Sequence, residues 1–126
     1  MINTNAGTPF IGYCQLTNGA PGPTNFTLFS VMGQAAYTLQ ATERLVITNI
    51  TVSSNDTQAL TTVDTGGTTP TPLMKTYLGS TQPPAVETIP PGCCHTIFGV
   101  VPRATASAVT GANTVQIIIK GFLTKS

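Results

Sequence analysis

Charge is what this chain has least of. Asp, Glu, Lys and Arg make up 7% of its 126 residues, where soluble domains typically carry about 25%. A folded 13.0 kDa chain exposes about 6,300 Å² by the usual size scaling, so its nine charges are spread at about one per 700 Å². A net charge of +1 gives little colloidal repulsion and tolerates close packing between subunits. Arg44, Lys75, Arg103, Lys120 and Lys125 are scattered and nearly offset by Glu43, Asp56, Asp64 and Glu87. The phosphate-neutralising footprint of a nucleic-acid binder is therefore missing. The segment Met1-Ile2-Asn3-Thr4-Asn5-Ala6-Gly7 has neither a basic n-region nor an apolar h-region, and no run approaches a membrane span. Neither nucleic acid nor membrane is an expected partner.

Catalytic apparatus is also missing. The sequence has no G-x-S-x-G elbow, Walker A pattern, G-x-G-x-x-G or EF-hand loop. Its one plausible metal or nucleophile set is Cys14, Cys93, Cys94 and His95. Zinc ligands are normally spaced C-x₂₋₄-C so that they converge, whereas adjacent residues on a strand point to opposite faces. Cys93-Cys94-His95 lacks that spacing, and one His without a local motif is poor evidence for a Cys–His pair. Small buried thiols or an inert turn suit these residues better than a disulfide through Cys14, and a disulfide better than metal or catalysis. Asp56 and Asp64 adjoin turn signals, Glu43 adjoins Arg44, and Glu87 has the ordinary fate of a lone surface charge. No enzyme activity, cofactor or metal is expected. Asn-x-Thr sequons at Asn25, Asn49 and Asn55 arise easily in a chain this rich in Asn and Thr. Trp is absent and only three Tyr occur, a thin platform for stacking on sugars.

What the chain has in abundance is Thr, 24 residues, whose β-branched side chain fits a pleated half-buried surface better than a helix. From Asn25 onward, short β-rich segments are punctuated by turn residues, as in a sandwich or barrel. Strands are expected at Asn25 to Val31, Ala35 to Gln40, Arg44 to Ser53, Thr57 to Val63, Leu73 to Leu78, Ala85 to Ile89, His95 to Val101, near Thr105 to Val109, and Thr114 to Phe122. In the third of these, Val46, Thr48, Ile50 and Val52 alternate with Leu45, Ile47, Asn49 and Thr51. Turns are expected at Asn55-Asp56, at Pro90-Pro91-Gly92 and at Gly111-Ala112-Asn113, with loops around Gly66-Gly67 and Gly79 to Pro84. The fold class is all-β: a jelly-roll-like antiparallel β-sandwich of about eight strands.

Two features point outward from the single sandwich. Residues 1–25 have no sustained period and suggest an extended N-terminal arm ahead of a sandwich domain at 26–126. Its apolar Phe10, Ile11 and Tyr13 would be costly to expose and are expected to dock on this subunit or a neighbour. The last segment fills one face with Val115, Ile117 and Ile119, and puts Ile118 and Phe122 on the other. A sandwich buries one face of each sheet, so Ile118 and Phe122 are expected at a subunit interface or under another cover.

From Arg44 to Phe122 the chain resembles the small β-sandwich decoration, or cement, proteins of tailed-bacteriophage capsids. Leu45-Val46-Ile47-Thr48-Asn49-Ile50-Thr51-Val52, then Ile89-Pro90-Pro91-Gly92, and finally Gly111-Ala112-Asn113-Thr114-Val115-Gln116-Ile117-Ile118-Ile119-Lys120-Gly121-Phe122 carry the likeness. The same pattern suits trimeric viral fibre heads and tumour-necrosis-factor-like jelly rolls. The resemblance implies a homotrimer on the virion surface that clamps the major capsid protein. Receptor- or glycan-binding through the loops at Gly66 to Pro72 and Gly79 to Pro84 is one alternative. A self-assembling coat subunit is another.

Overall fold

The computed structural model describes residues 8–18, 20, 22–30, 36–54, 59–78, 83–89, 95–96, 98–107, 109 and 113–125. Among them are ten strands and no helix: β1 (Thr8–Thr17), β2 (Thr24–Asn25), β3 (Thr27–Ser30), β4 (Ala36–Tyr37), β5 (Glu43–Ser54), β6 (Ala59–Asp64), β7 (Pro72–Leu78), β8 (Ala85–Thr88), β9 (Arg103–Ala106) and β10 (Thr114–Lys125). A six-stranded sheet has the order β4-β3-β1-β10-β5-β8, and a four-stranded sheet the order β2-β9-β6-β7. Every pairing is antiparallel. The all-β sandwich expected from Thr content and turn spacing is the fold of this chain. The expected segment Asn25 to Val31 divides at Phe26, whose N–H donates to the Pro102 carbonyl, and passes from the small sheet (β2) to the large one (β3).

The core lies between the sheets and follows the period-2 alternation of strands. Along β1, Phe10, Gly12, Cys14 and Leu16 are buried while Ile11, Tyr13 and Gln15 are not. Along β10, Val115, Ile117, Ile119 and Leu123 point inward. The small sheet answers with Val63, Ala104 and Ala106. Its small alanines let the sheets approach. Each fully buried Leu, Ile or Val contributes about 1.5–3 kcal/mol relative to exposure, so the central β1, β10 and β5 dominate the stability.

Several expectations are corrected here. The division into a 1–25 arm and a 26–126 domain does not hold, because β1 sits in the middle of the large sheet between β3 and β10, in register with β10 from Thr8↔Leu123 to Thr17↔Thr114. Phe10 and Leu16 belong to the chain's own core. The β5 segment does not keep one alternation: Leu45 and Ile47 face inward in its first half, Ile50 and Val52 in its second. A bulge causes this, since Gly121 pairs with Ile47 while Lys120 pairs with Asn49, leaving Thr48 as the extra residue. His95 to Val101 is not a strand. His95 bridges Val46, the Thr96 N–H donates to the Leu45 carbonyl, and the chain then turns at Phe98 and Gly99. Among the described residues of Ala35 to Gln40, Ala36–Tyr37 pairs, and the strand expected near Thr105 to Val109 lies earlier, at Arg103–Ala106. The turns at Asn55-Asp56, Pro90-Pro91-Gly92 and Gly111-Ala112, together with residues 1–7, Cys93 and Cys94, fall outside the described residues.

One buried hydroxyl has a testable consequence. Thr61 on β6 is 1% exposed, lies in register between Thr76 and Ala106, and its Oγ1 has no hydrogen-bond partner among the described residues. An unsatisfied buried polar group costs about 1–3 kcal/mol, and valine matches the shape of threonine. Thr61→Val is therefore expected to raise the urea midpoint, by about 1 kcal/mol in stability. An unchanged or lower midpoint would show that the hydroxyl is satisfied.

Candidate functional site

Cys14, Tyr37, Glu43, Asp64 and Arg103 are engaged in holding the fold. Cys14 is a free, buried thiol whose Sγ lies 3.6 Å from the Thr24 carbonyl oxygen, and burial pushes its pKa up to about 11. It is a protonated, shielded thiol at neutral pH and a poor nucleophile. His95 is exposed beside Val46, with Nδ1 3.4 Å from the Thr96 carbonyl oxygen. Cys14 faces the core and His95 faces solvent, so the two do not form a pair. Among the described residues no three of His, Cys, Asp and Glu gather at a point.

Two carboxylates organise turns instead. Glu43 is 3% exposed, and its oxygens accept from the Tyr37 hydroxyl at 2.5 and 2.7 Å and from the Gln40 N–H at 3.0 Å, closing the β4–β5 connection. Asp64 accepts from the Gly66 N–H at 2.7 Å and from Arg103 Nε at 3.2 Å. Donating to Glu43 is the main cause that pushes Tyr37 up to about 12, with burial and the Glu43 charge adding to it. The folded value lies above the ordinary 10.0. Tyr37 thus contributes stability that is present below pH 10 and lost as pH rises toward 12. Denaturation midpoints measured across that window should fall more steeply for the native chain than for Tyr37→Phe. Parallel curves would count against the Tyr37–Glu43 bond.

The outer faces of both sheets mix apolar and polar side chains, with more of the large apolar ones on the large sheet. By alternation and register, the outer face of the small sheet carries Asn25, Thr62, Lys75, Thr105 and the Asp64–Arg103 pair, with Leu60 the large exposed apolar group among the described side chains. The outer face of the large sheet is built in rows across the strands. One row runs Thr27, Tyr13, Ile118, Thr51, Val86, the next Phe29, Ile11, Lys120, Asn49, Thr88, and a third Pro9, Phe122, Val46, and polar rows flank them, Gln15, Gln116, Ser53 on one side and Thr124, Arg44 on the other. Ile118 is 37% and Val86 59% exposed, while Ile11, Tyr13, Phe29 and Phe122 are half-buried. Beyond Val46, the Arg44 guanidinium lies 4.8 Å from the centre of the exposed Phe98 ring, a cation–π contact.

This arrangement joins residues that the sequence pattern kept apart. Ile11 and Tyr13, expected on a detachable arm, share one surface with Ile118 and Phe122, expected at a subunit interface. Phe10 does not join them, because it points into the core at 2% exposure. Phe29, Val86 and Lys120 are further members that sequence reasoning missed; the outward alternation of β3, β8 and β10 was the signal that could have found them. At the end of β5 and the start of β10 a cleft of about 240 Å³ is lined by Ser53, Ser54, Thr114 and Gln116, hydroxyl and amide groups without a titratable side chain. No family model, curated protein or solved structure matches the chain.

Proposed function

We propose that this chain is a non-catalytic structural component of an assembly: a decoration protein on the exterior of a virion, a homotrimer that binds the major capsid protein and stabilises the shell. The observation that carries the reading is the gathering of large apolar side chains on the outer face of the large sheet. Ile11, Tyr13, Phe29, Ile118 and Phe122 gather on one surface, with Val86 beyond Thr51, and exposed apolar surface of this kind marks protein contacts. The low charge, nine groups in 126 residues, removes the repulsion that close packing would otherwise have to overcome. The strand orders support a jelly roll, the architecture of many capsid components. With β3 and β4 set aside as an extension, β1-β10-β5-β8 faces β2-β9-β6-β7, the interleaving of two Greek keys.

The test is native mass and location. The purified chain should sediment as a discrete trimer and co-sediment stoichiometrically with shells of the major capsid protein. A monomer that ignores shells would refute the assembly reading. Growth of sheets or fibres from the chain alone would identify a coat subunit, and glycan binding without shell binding a receptor module.

A further inference from the structure

The chain reverses direction immediately after β1. The Thr17 N–H donates to the Ala20 carbonyl at 3.2 Å and the Ala20 N–H to the Thr17 carbonyl at 2.9 Å, and Asn18, in the turn they close, is exposed. The residue that follows it in sequence is Gly19. No other asparagine of the chain precedes a glycine: Asn3, Asn5, Asn25, Asn49, Asn55 and Asn113 are followed by Thr, Ala, Phe, Ile, Asp and Thr. The distinction matters because the side-chain amide of an asparagine can be attacked by the main-chain nitrogen of the next residue. A Cβ on that residue crowds the approach, and glycine has none. The asparagines of β2 and β5 are held differently. After Asn25, the Phe26 N–H donates to the Pro102 carbonyl. Asn49 stands in register between Lys120 and Thr88, and its side-chain oxygen accepts from Thr51 at 3.2 Å. The bonds that close the turn at Asn18 use the N–H groups of Thr17 and Ala20, neither of which is the attacking nitrogen.

We infer that Asn18 is a site of spontaneous main-chain modification, an inference that holds for the chain alone and goes beyond the assembly reading. The Gly19 nitrogen bonds to the Asn18 side-chain carbonyl carbon, and the side-chain nitrogen leaves as ammonia, taking the Gly19 amide proton with it and leaving a cyclic imide. Water then opens the ring. Opening at the side-chain carbonyl gives aspartate, and opening at the main-chain carbonyl gives isoaspartate, in which the main chain runs through the former side chain. Either product adds a carboxylate, which cancels the chain's net charge of +1. Isoaspartate also adds a methylene to the main chain between Thr17 and Ala20, which the two bonds closing the turn cannot span unchanged. β1 itself stays in place, because ten of its residues stand in register with β10. The modification thus marks the age of a chain at the point where β1 leaves the large sheet, without unfolding it.

The purified full chain, incubated both folded in buffer and unfolded in urea, provides the test. Peptide mapping by mass spectrometry, with fragmentation that separates isoaspartate from aspartate, reads each asparagine in turn. The folded chain should convert Asn18 at a rate comparable to the unfolded one, while Asn25, Asn49 and Asn113 remain amides over the same period. Gly19→Ala should slow the conversion severalfold, with a urea midpoint equal to the native one to establish that it folds. If it does not fold, the steric effect is read in urea, and the comparison of folded with unfolded native chain still decides. Conversion of Asn18 confined to the unfolded chain would show that the turn protects the amide and overturns the inference. An Asn18 that stays an amide in both states, or that converts no faster than Asn25 and Asn49 in the folded chain, overturns it as well.

Discussion

Gly121→Val is expected to abolish the native fold, and Gly121→Ala to cost at least about 3 kcal/mol. A Cβ at position 121 would overlap the Val46 carbonyl oxygen, and would come within 2.9 Å of the Val46 carbonyl carbon and 3.1 Å of the Ile47 Cα. These are backbone atoms of the neighbouring strand, so no side chain can swing aside. The approach is close because β5 bulges there, with Thr48 as the extra residue opposite the Lys120–Gly121 step. The bulge lets Leu45, Ile47, Ile50 and Val52 all reach 0% exposure, although an unbroken period of 2 would put one of the two pairs on the outer face. Turning two such side chains outward costs about 3–6 kcal/mol, a large share of the roughly 5–15 kcal/mol that holds a domain folded. Urea titration of both variants against Gln116→Ala, an exposed position on the same strand, is the measurement. A native-like midpoint for Gly121→Val would show that β10 can shift without losing the bulge.

That bulge also explains where the sequence was legible and where it was not. The continuous apolar-and-Thr run at Arg44 to Ser53 identifies a strand, and β5 spans Glu43–Ser54, but nothing local to it announces a phase change. The cause lies on the other strand, where Gly121 pairs with Ile47 while Lys120 pairs with Asn49. β1 was missed for a related reason. Its inward set, Phe10, Gly12, Cys14 and Leu16, includes a glycine that looks like a strand breaker in isolation. In the folded chain a Cβ on Gly12 would come within 2.6 Å of Ile119 Cγ1, so the glycine makes room for a core side chain of β10. His95 to Val101 has strand-like composition, but its backbone partners are Leu45 and Glu43, contacts that composition cannot encode. The candidate site was half legible. Ile118 and Phe122 stood out as apolar residues on the wrong side of β10. Their union with Ile11 and Tyr13 depends on β1 pairing with β10, a contact between the two ends of the chain.

The same pairing makes the N-terminal segment indispensable. Removal of residues 1–17 is expected to leave a chain that does not fold cooperatively, where a detachable arm would leave the sandwich intact. β1 satisfies two neighbours at once: ten residues stand in register with β10 and four with β3. Without it, β10 keeps β5 on one side but faces water with its other edge, while β3 and β4 lose their attachment to the sheet. Phe10 and Leu16 leave the core as well, about 1.5–3 kcal/mol each. Their absence leaves cavities beside Ile117 and Ile119 that add to the cost. Lost ladder hydrogen bonds at about 0.5–1.5 kcal/mol each carry the sum past the stability of an ordinary domain. The truncated chain should show broad, non-cooperative unfolding, and a synthetic peptide spanning Thr8–Thr17, added in trans, should restore the sharp transition by refilling the slot between β3 and β10. Cooperative unfolding of the truncated chain alone would return residues 1–17 to the status of an arm. It would also separate Ile11 and Tyr13 from the surface they share with Ile118.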